Sequence, residues 1–313
     1  MNIGLFTSYR DRIIENCRKV ICGKDREIEM VLIAFLCSGH ILLEDVPGTG
    51  KTMLLRSFAA SVGGSFKRIQ CTPDLLPGDL TGINFYNRKT DEFEFRPGPI
   101  FSQIILADEI NRATPRTQSG LLEAMEERQV TVDGTTYPME ENFLVMATQN
   151  PLENYGTFPL PEAQIDRFFM RIGLGFMSRE DELSVLFRRP GSELVKELTA
   201  VVSAEETAEL KRLLPEVQMS GDTAGYLMDI IEATRTNKSF VTGVSTRGAI
   251  ALFSAARAKA ALSGRDYVIP EDIRDMAPAV LAHRIGGANA SKQDSETYIA
   301  HLLDTISVPV EKL

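Results

Sequence analysis

The feature that most constrains the fold of this chain is the pentad Gly48-Thr-Gly-Lys-Thr52, which closely follows the short apolar segment Ile41–Glu44. A strand, a glycine-rich loop and a helix in this order predict a phosphate-binding loop, because backbone N–H groups and a helix N-terminus together attract a dense anion. Lys51 is expected to reach the β- and γ-phosphates of a nucleoside triphosphate, and the Thr52 hydroxyl to ligate Mg²⁺. The strict pattern has a glycine where this chain has Asp45, but the glycines nearest the lysine are intact.

A second signal is an apolar segment that ends in acid, Ile104–Ala107 followed by Asp108 and Glu109. The carboxyl ends of parallel strands form the ligand-binding edge of α/β sheets, so both carboxylates are expected beside the phosphate loop. Asp108 is predicted to hold the Mg²⁺ shell, and Glu109 to act as general base on the attacking water. The alternative is a strand that ends in a solvated acidic turn, which the phosphate loop upstream makes the weaker interpretation.

Three further polar residues are candidates for the same site. Asn150 follows the apolar segment 143–148 and could orient water beside the γ-phosphate, although Asn before Pro151 is equally typical of a turn. Arg167 and Arg247 could stabilise the charge that spreads over the transferred phosphoryl group. On composition alone, a surface ion pair is the better interpretation of either arginine.

The spacing of apolar segments predicts an α/β fold, with a five-stranded parallel sheet that is covered by helices on both faces. Two alternating segments around polar turns predict β-hairpins, at residues 83–95 and 130–137, and Asp133-Gly134 is a strong hairpin turn signal. The predicted sheet strands are residues 41–44, 66–70, 103–107, 143–148 and 168–173.

Helical patterns dominate both ends of the chain. Residues 8–37 are predicted to be helical, and the sequence after residue 203 favours helix, with a capping box at Ser203-Ala-Glu-Glu206 and Pro270 in a first turn. We therefore expect two domains. The first is an α/β nucleotide-binding core with an N-terminal helix at residues 1–189, and the second is a helical domain at residues 190–313.

Composition limits the classes of partner and the location. The net charge of -9 argues against a broad nucleic-acid-binding face, although a local basic channel stays open. The four cysteines and three histidines show no metal-ligand spacing, so no zinc site is predicted and the thiols are expected to be reduced. The first residues lack the apolar core of a secretion signal, and the longest apolar run, residues 30–37, is too short to span a bilayer, so we predict a cytoplasmic protein.

Taken together, these motifs resemble the MoxR family of AAA+ ATPases, and the resemblance extends over nearly the whole chain. Its stretches are long and ordered, so it is far more specific than a phosphate loop alone. Two residues depart from the usual family pattern: Thr246 stands where a proline often precedes Arg247, and Cys22 replaces a common aliphatic residue. The matching stretches are residues 39–52, 93–101, 107–113, 121–130, 147–151 and 158–168.

The resemblance implies an AAA+ core with a C-terminal helical lid, in which both hairpins are inserts. Asn150 would be sensor 1, Arg247 sensor 2 from the lid, and Arg167 the arginine finger that acts on a neighbouring subunit. The segment Val20-Ile-Cys-Gly23 looks like the adenine-side segment of the family. The residues implied to contact ATP are Val20, Ile21, Gly23, Pro47, Gly48, Thr49, Gly50, Lys51, Thr52 and Met53, with Thr52 and Asp108 at the Mg²⁺ ion.

The resemblance also implies a function. Such proteins assemble as rings, commonly hexamers, and act as chaperone-like ATPases on partner proteins, often ones with a von Willebrand factor A domain. One alternative is a nucleic-acid motor, for which Arg88 and Lys89 on the first hairpin could supply a ring of positive charge. Another is a metal-chelatase subunit, whose ATPase residues would look much the same. A small-molecule kinase is disfavoured because Glu109 beside Asp108 suits the activation of water.

Overall fold

A five-stranded parallel sheet lies at the centre of the computed structural model, which describes residues 2–46, 48–150, 156–236, 242–285 and 292–309, with side chains from residue 295 onward in the last range. The strands are β1 (Ile41–Glu44), β2 (Phe66–Gln70), β3 (Gly82–Asn87), β4 (Glu92–Pro97), β5 (Ile104–Asp108), β6 (Gln129–Val132), β7 (Thr135–Pro138), β8 (Leu144–Gln149) and β9 (Met170–Ile172). The sheet has the order β2-β5-β8-β1-β9, and every neighbouring pair is parallel. The predicted α/β class and strand number are confirmed.

Helices cover both faces of this sheet and form most of the C-terminal third. They are α1 (Gly4–Arg18), α2 (Asp25–Leu36), α3 (Lys51–Ser61), α4 (Pro77–Thr81), α5 (Pro115–Glu127), α6 (Glu162–Ile165), α7 (Arg179–Leu186), α8 (Gly191–Leu194), α9 (Ala204–Leu213), α10 (Gly221–Thr236), α11 (Thr246–Leu262), α12 (Pro270–Leu281) and α13 (Lys292–Thr305).

The central strands β1, β5 and β8 are apolar up to their last one or two residues because both of their faces are buried. In β5, Ile104 and Leu106 belong to a core shared with α1, α2, α3 and the C-terminal helices. Ile105 and Ala107, which point to the other face, belong to a second core shared with α5. An uninterrupted apolar run is what a strand buried on both faces of a parallel sheet requires.

The prediction that residues 8–37 are helical is confirmed for two helices and is wrong for residues 19–24, which separate them. Helix α1 ends at Arg18 and α2 begins at Asp25. Gly23 between them has a φ of +64°, and a side chain at this position would collide with the carboxylate of Asp181. The turn brings residues 20–24 beside the phosphate loop, which a continuous helix would not do.

The two predicted hairpins are confirmed, and they pack against each other. The β3–β4 and β6–β7 pairs are antiparallel, and Asp133 and Gly134 turn the second hairpin with positive φ. The rings of Phe95 and Tyr137 stack with their centroids 4.2 Å apart. The Asn84 amide donates to the Asp133 carboxylate at 2.8 Å, so the inserts form one unit.

The C-terminal region is helical, as predicted. The Ser203 hydroxyl accepts from the Glu206 N–H and the Glu206 carboxylate accepts from the Ser203 N–H, which completes the predicted capping box at the start of α9. Pro270 occupies the first turn of α12. Within the described ranges, no helix is long and apolar enough to cross a membrane.

Candidate nucleotide-binding site

The phosphate loop joins the end of β1 to the start of α3, as the sequence predicts. Gly48 and Gly50 have φ values of +86° and +91°, which favour glycine because a β-carbon is strained in this region. Helix α3 begins at Lys51, so its N-terminus and free N–H groups face the loop. Pro47, predicted to contact the nucleotide, lies outside the described residues.

Lys51 lies at the base of the loop. Its Nζ donates to the main-chain oxygen of Asp45 at 2.9 Å. Burial lowers the pKa of the Lys51 ammonium, and the carboxylates of Asp45, Asp108 and Glu109 oppose that shift. A triphosphate in the loop would act in the same direction as these carboxylates and favour the charged form.

Asp45, which replaces the first glycine of the strict pattern, has a structural role that the sequence did not suggest. Its buried carboxylate accepts hydrogen bonds from the N–H groups of Leu174 and Gly175, both at 2.9 Å, and from that of Val46 at 2.8 Å. Asp45 therefore fastens the phosphate loop to the segment that follows β9.

Asp108 lies at the end of β5 with both carboxylate oxygens engaged. Oδ1 accepts from the Thr148 hydroxyl at 2.6 Å, and Oδ2 accepts from Arg68 Nη2 at 2.6 Å. Thr148 belongs to the neighbouring strand β8, and Arg68 to β2 on the other side of β5. The Arg68 guanidinium at Oδ2 occupies a position at which a metal ion bound to Asp108 would also be stabilised.

Glu109 adopts the left-handed conformation, with a φ of +57°, which is uncommon for a residue with a side chain. Its N–H donates to the Thr148 hydroxyl at 2.8 Å, which holds this turn on β8. Its carboxylate accepts from the Gln70 amide at 3.0 Å and from Arg112 at 3.2 Å. The strained turn aims Glu109 along the sheet edge beside Asp108.

These residues line one cavity of about 380 Å³, named here the phosphate cavity. Hydroxyl and carboxylate oxygens are the ligands that Mg²⁺ prefers, and Thr52 and Asp108 present them to the same space, so this donor set fits the predicted ion. Asn150, after β8, is buried and also lines the cavity. The full lining is Gly48, Thr49, Gly50, Lys51, Thr52, Met53, Arg68, Asp108, Glu109, Thr148 and Asn150.

A second cavity of about 240 Å³, named here the adenine cavity, shares residues 48–50 and Met53 with the first. Val20 and Ile21 line it, as the resemblance implies, together with Cys22. Gly23 does not line it but provides the turn between Cys22 and Lys24. A mostly apolar slot next to a phosphate-binding loop suits a flat heterocyclic base.

The opposite wall of the adenine cavity was missed by sequence reasoning. It consists of residues after β9, on and around α7 and α8, namely Met177, Val185, Arg188, Arg189, Gly191 and Leu194. Lys24 joins the two walls, since its Nζ donates to the main-chain oxygens of Leu174 and Phe176. A weak signal was present, because Leu183-Ser-Val-Leu186 is an apolar run in an otherwise charged helix.

Arg167 and Arg247 line neither cavity. Both contact the carboxylate of Glu126 near the end of α5: Arg167 Nε lies 2.9 Å from Oε2, and Arg247 Nη2 contacts Oε1. The side chains of Arg167 and Arg247 are 33% and 46% exposed. The structure thus brings the two predicted arginines together, but outside both cavities that the phosphate loop of the same chain lines.

Comparison with known families agrees with this geometry. A family described as "ATPase family associated with various cellular activities (AAA)" matches residues 40–170, which include the phosphate loop, Asp108, Glu109 and Arg167. A second family, described as "AAA lid domain", matches residues 232–301, which include Arg247.

Several proteins are similar to this chain over most of its length. The uncharacterized protein YeaC of Bacillus subtilis is 47% identical, over 96% of this chain and 95% of its own. Chaperone MoxR1 of Mycobacterium tuberculosis is 39% identical, over 96% of this chain and 82% of its own. A crystal structure from Cytophaga hutchinsonii, named only as a candidate ATPase, is 39% identical, covers 98% of both chains and superposes with a TM-score of 0.89.

Proposed function

Because the chain belongs to the MoxR family of AAA+ ATPases, we propose that it binds Mg-ATP, hydrolyses it, and uses the energy for chaperone-like remodelling of a partner protein. The observation that carries this proposal is that the phosphate loop and the carboxylates of Asp108 and Glu109 line one cavity. Such a cavity offers donors for a triphosphate, oxygen ligands for a cation and a base for water.

Binding would divide between the two cavities. The loop N–H groups and Lys51 would hold the phosphates, while Val20, Ile21 and Met53 would contact the adenine ring. The Thr52 hydroxyl and the Asp108 carboxylate would hold Mg²⁺, which neutralises charge on the β- and γ-phosphates.

Hydrolysis would depend on the polar residues at the end of the sheet. Glu109 would accept a proton from the attacking water, and Asn150 would orient that water beside the γ-phosphate. Gln70 and Arg112 both donate to Oε2 of the Glu109 carboxylate, which would orient the group and leave Oε1 to accept the proton of the water.

The two arginines would act on the nucleotide of a neighbouring subunit. Neither lines the phosphate cavity or the adenine cavity, and both are partly exposed beside Glu126. A guanidinium supplied from outside can stabilise the charge of the transferred phosphoryl group only if subunits meet at that surface. We therefore propose a ring, commonly a hexamer in such proteins, in which each site is completed by the next subunit.

Two substitutions test the site. Lys51→Ala should lose ATP affinity, because the β- and γ-phosphates lose their cation. Glu109→Gln should keep ATP affinity and lose turnover, because water is no longer activated. ATP affinity and kcat, measured on the same preparation of each variant, test these two expectations. Wild-type turnover of Glu109→Gln would show that Glu109 is not the base.

The partner is the least constrained part of the proposal. A protein client, such as one with a von Willebrand factor A domain, is supported by the relative named a chaperone. A nucleic-acid motor or a chelatase subunit would use the same ATPase residues. Addition of DNA at low salt tests for the nucleic-acid motor, because a salt-sensitive rise in ATPase rate would favour that function. The domains at 1–189 and 190–313 and a cytoplasmic location stay predictions.

A further inference from the structure

We propose that Glu126 is a positioning residue for the arginine pair: its carboxylate holds Arg167 and Arg247 side by side so that both face the triphosphate bound by a neighbouring subunit. This inference rests on the proposed function, in which the two arginines act on that neighbour. It assigns a role to a residue that lines neither cavity and that sequence reasoning did not select.

The geometry joins three segments that are far apart in sequence. Glu126 lies in the last turn of α5, Arg167 follows α6, and Arg247 lies in the first turn of α11. Each arginine contacts a different oxygen of the one carboxylate. A guanidinium has five N–H donors, so contact through Nε of one arginine and Nη2 of the other leaves donors for phosphate oxygens.

Electrostatics requires such a residue. Two guanidinium groups close together repel each other, and a carboxylate between them reduces the net charge of the group from about +2 to about +1. In the described part of the chain, neither Arg167 nor Arg247 has another carboxylate partner within 4 Å. Without Glu126, repulsion would separate two long side chains that are already partly exposed.

The backbone beneath the pair is fixed by a second carboxylate, which leaves Glu126 the task of orienting the side chains. Asp166, next to Arg167, accepts from the hydroxyl of Ser245 at 3.1 Å and from Arg284 Nη1 at 3.1 Å. Ser245 is the N-cap of α11, two residues before Arg247. The two arginines therefore project from segments that are joined to each other, and Glu126 links their ends.

The test is Glu126→Gln, with Glu127→Gln as a matched control, since Glu127 is an exposed neighbour on α5 with no ion pair within the described residues. Glu126→Gln is expected to lower kcat about 10- to 100-fold, the range in which mispositioned catalytic groups reduce rates. ATP affinity should not change, because Glu126 lines neither cavity. Ring size is measured on the same samples, so that a loss of assembly is told apart from a loss of kcat. Wild-type kcat in Glu126→Gln, or a loss of ATP affinity equal to the loss of kcat, would overturn the proposal.

Mixed rings separate this proposal from the proposed function. Mixing Glu126→Gln with Glu109→Gln should restore activity, because sites form with Glu109 from one subunit and an intact arginine pair from the next. Mixing Glu126→Gln with Arg167→Ala should not, because both subunits then donate a defective pair. Activity in this second mixture would place Glu126 in the accepting subunit and overturn the proposal. If Arg167→Ala with Glu109→Gln also stays inactive, the failure lies instead in the proposed action between subunits.

Discussion

Arg68 on the edge strand of the sheet contacts Asp108 through a single carboxylate oxygen, with Nη2 2.6 Å and Nε 3.1 Å from Oδ2. The other oxygen of Asp108 accepts from Thr148. Because Asp108 is the proposed Mg²⁺ ligand, an ion that binds through Oδ2 would compete with this guanidinium. Arg68 also lines the phosphate cavity, so a displaced guanidinium would remain close to the bound phosphates.

Removal of this competing cation should lower the Mg²⁺ requirement. An exposed ion pair is worth about 0.2–1 kcal/mol, so Arg68→Gln should reduce the Mg²⁺ concentration for half-maximal nucleotide binding by up to about fivefold. Lys67→Gln is the control, because it removes the same charge from the preceding residue of β2. The measurement is a Mg²⁺ titration of nucleotide binding. An equal or higher requirement in Arg68→Gln than in Lys67→Gln would contradict the competition.

Asp45→Gly would restore the strict glycine pattern, yet we expect it to be harmful. The carboxylate accepts three backbone hydrogen bonds, and its loss leaves the N–H groups of Leu174 and Gly175 without their acceptor. Leaving the buried Leu174 donor unpaired costs about 1–3 kcal/mol, whereas the N–H of Gly175, an exposed residue, can bond to water. Urea unfolding should report lower stability, with Asp45→Asn intermediate because it keeps one oxygen. Unchanged stability of Asp45→Gly would mean that the link to the segment after β9 contributes nothing.

The action of Arg167 on a neighbour predicts complementation. Arg167→Ala should bind ATP normally and hydrolyse it about 10³–10⁵ times more slowly, the range for an arginine finger. In a mixture with Glu109→Gln, some sites combine an intact Glu109 with an intact Arg167. Activity should therefore reappear and should rise with protein concentration as assembly does. Tagged co-purification must confirm mixed rings; if they form and activity stays absent at every ratio, Arg167 acts within its own subunit or only structurally.

Acid should destabilise the fold in part through His40. Burial lowers the pKa of His40 to about 3, with the nearby charge of Arg128 adding to the effect. The ring accepts from the Val145 N–H and contacts the Met125 main-chain oxygen, so the folded state needs it neutral. Between about pH 6.5 and pH 3 the unfolded chain therefore binds a proton that the folded chain does not, and stability falls as the pH falls.

Protonation of His40 in the unfolded chain alone lowers the free energy of unfolding by about 2 kcal/mol between pH 7.5 and pH 5. His40→Gln should lose less stability over this interval than wild type. His301→Gln, which removes an exposed histidine of α13, is the matched control. Chemical denaturation of the three proteins at both pH values measures the difference. An identical pH dependence in His40→Gln and His301→Gln would show that His40 does not carry this linkage.

The sequence alone determined the parts of this protein whose physics is local. A strand, two left-handed glycines, a lysine and a helix start are contiguous, so residues 41–52 predict their own conformation. Asp108 and Glu109 follow the same logic, since parallel strands place their carboxyl ends at one edge. The Asp133-Gly134 turn fixed its own hairpin. The error at residues 19–24 was also local, because the predicted helical stretch included Gly23, whose backbone has a positive φ.

Tertiary structure decided every relationship between distant segments. The acceptor role of Asp45 depends on residues 174–175, the second wall of the adenine cavity on α7 and α8, and the joining of Arg167 to Arg247 on Glu126. No periodicity or spacing in the sequence predicts these relationships, because a carboxylate selects its partners by distance in space and not by separation along the chain. Packing of the C-terminal helices on the core brings Arg247 to Glu126 and Arg167, and it leaves the arginine pair partly exposed and outside both cavities of its own subunit.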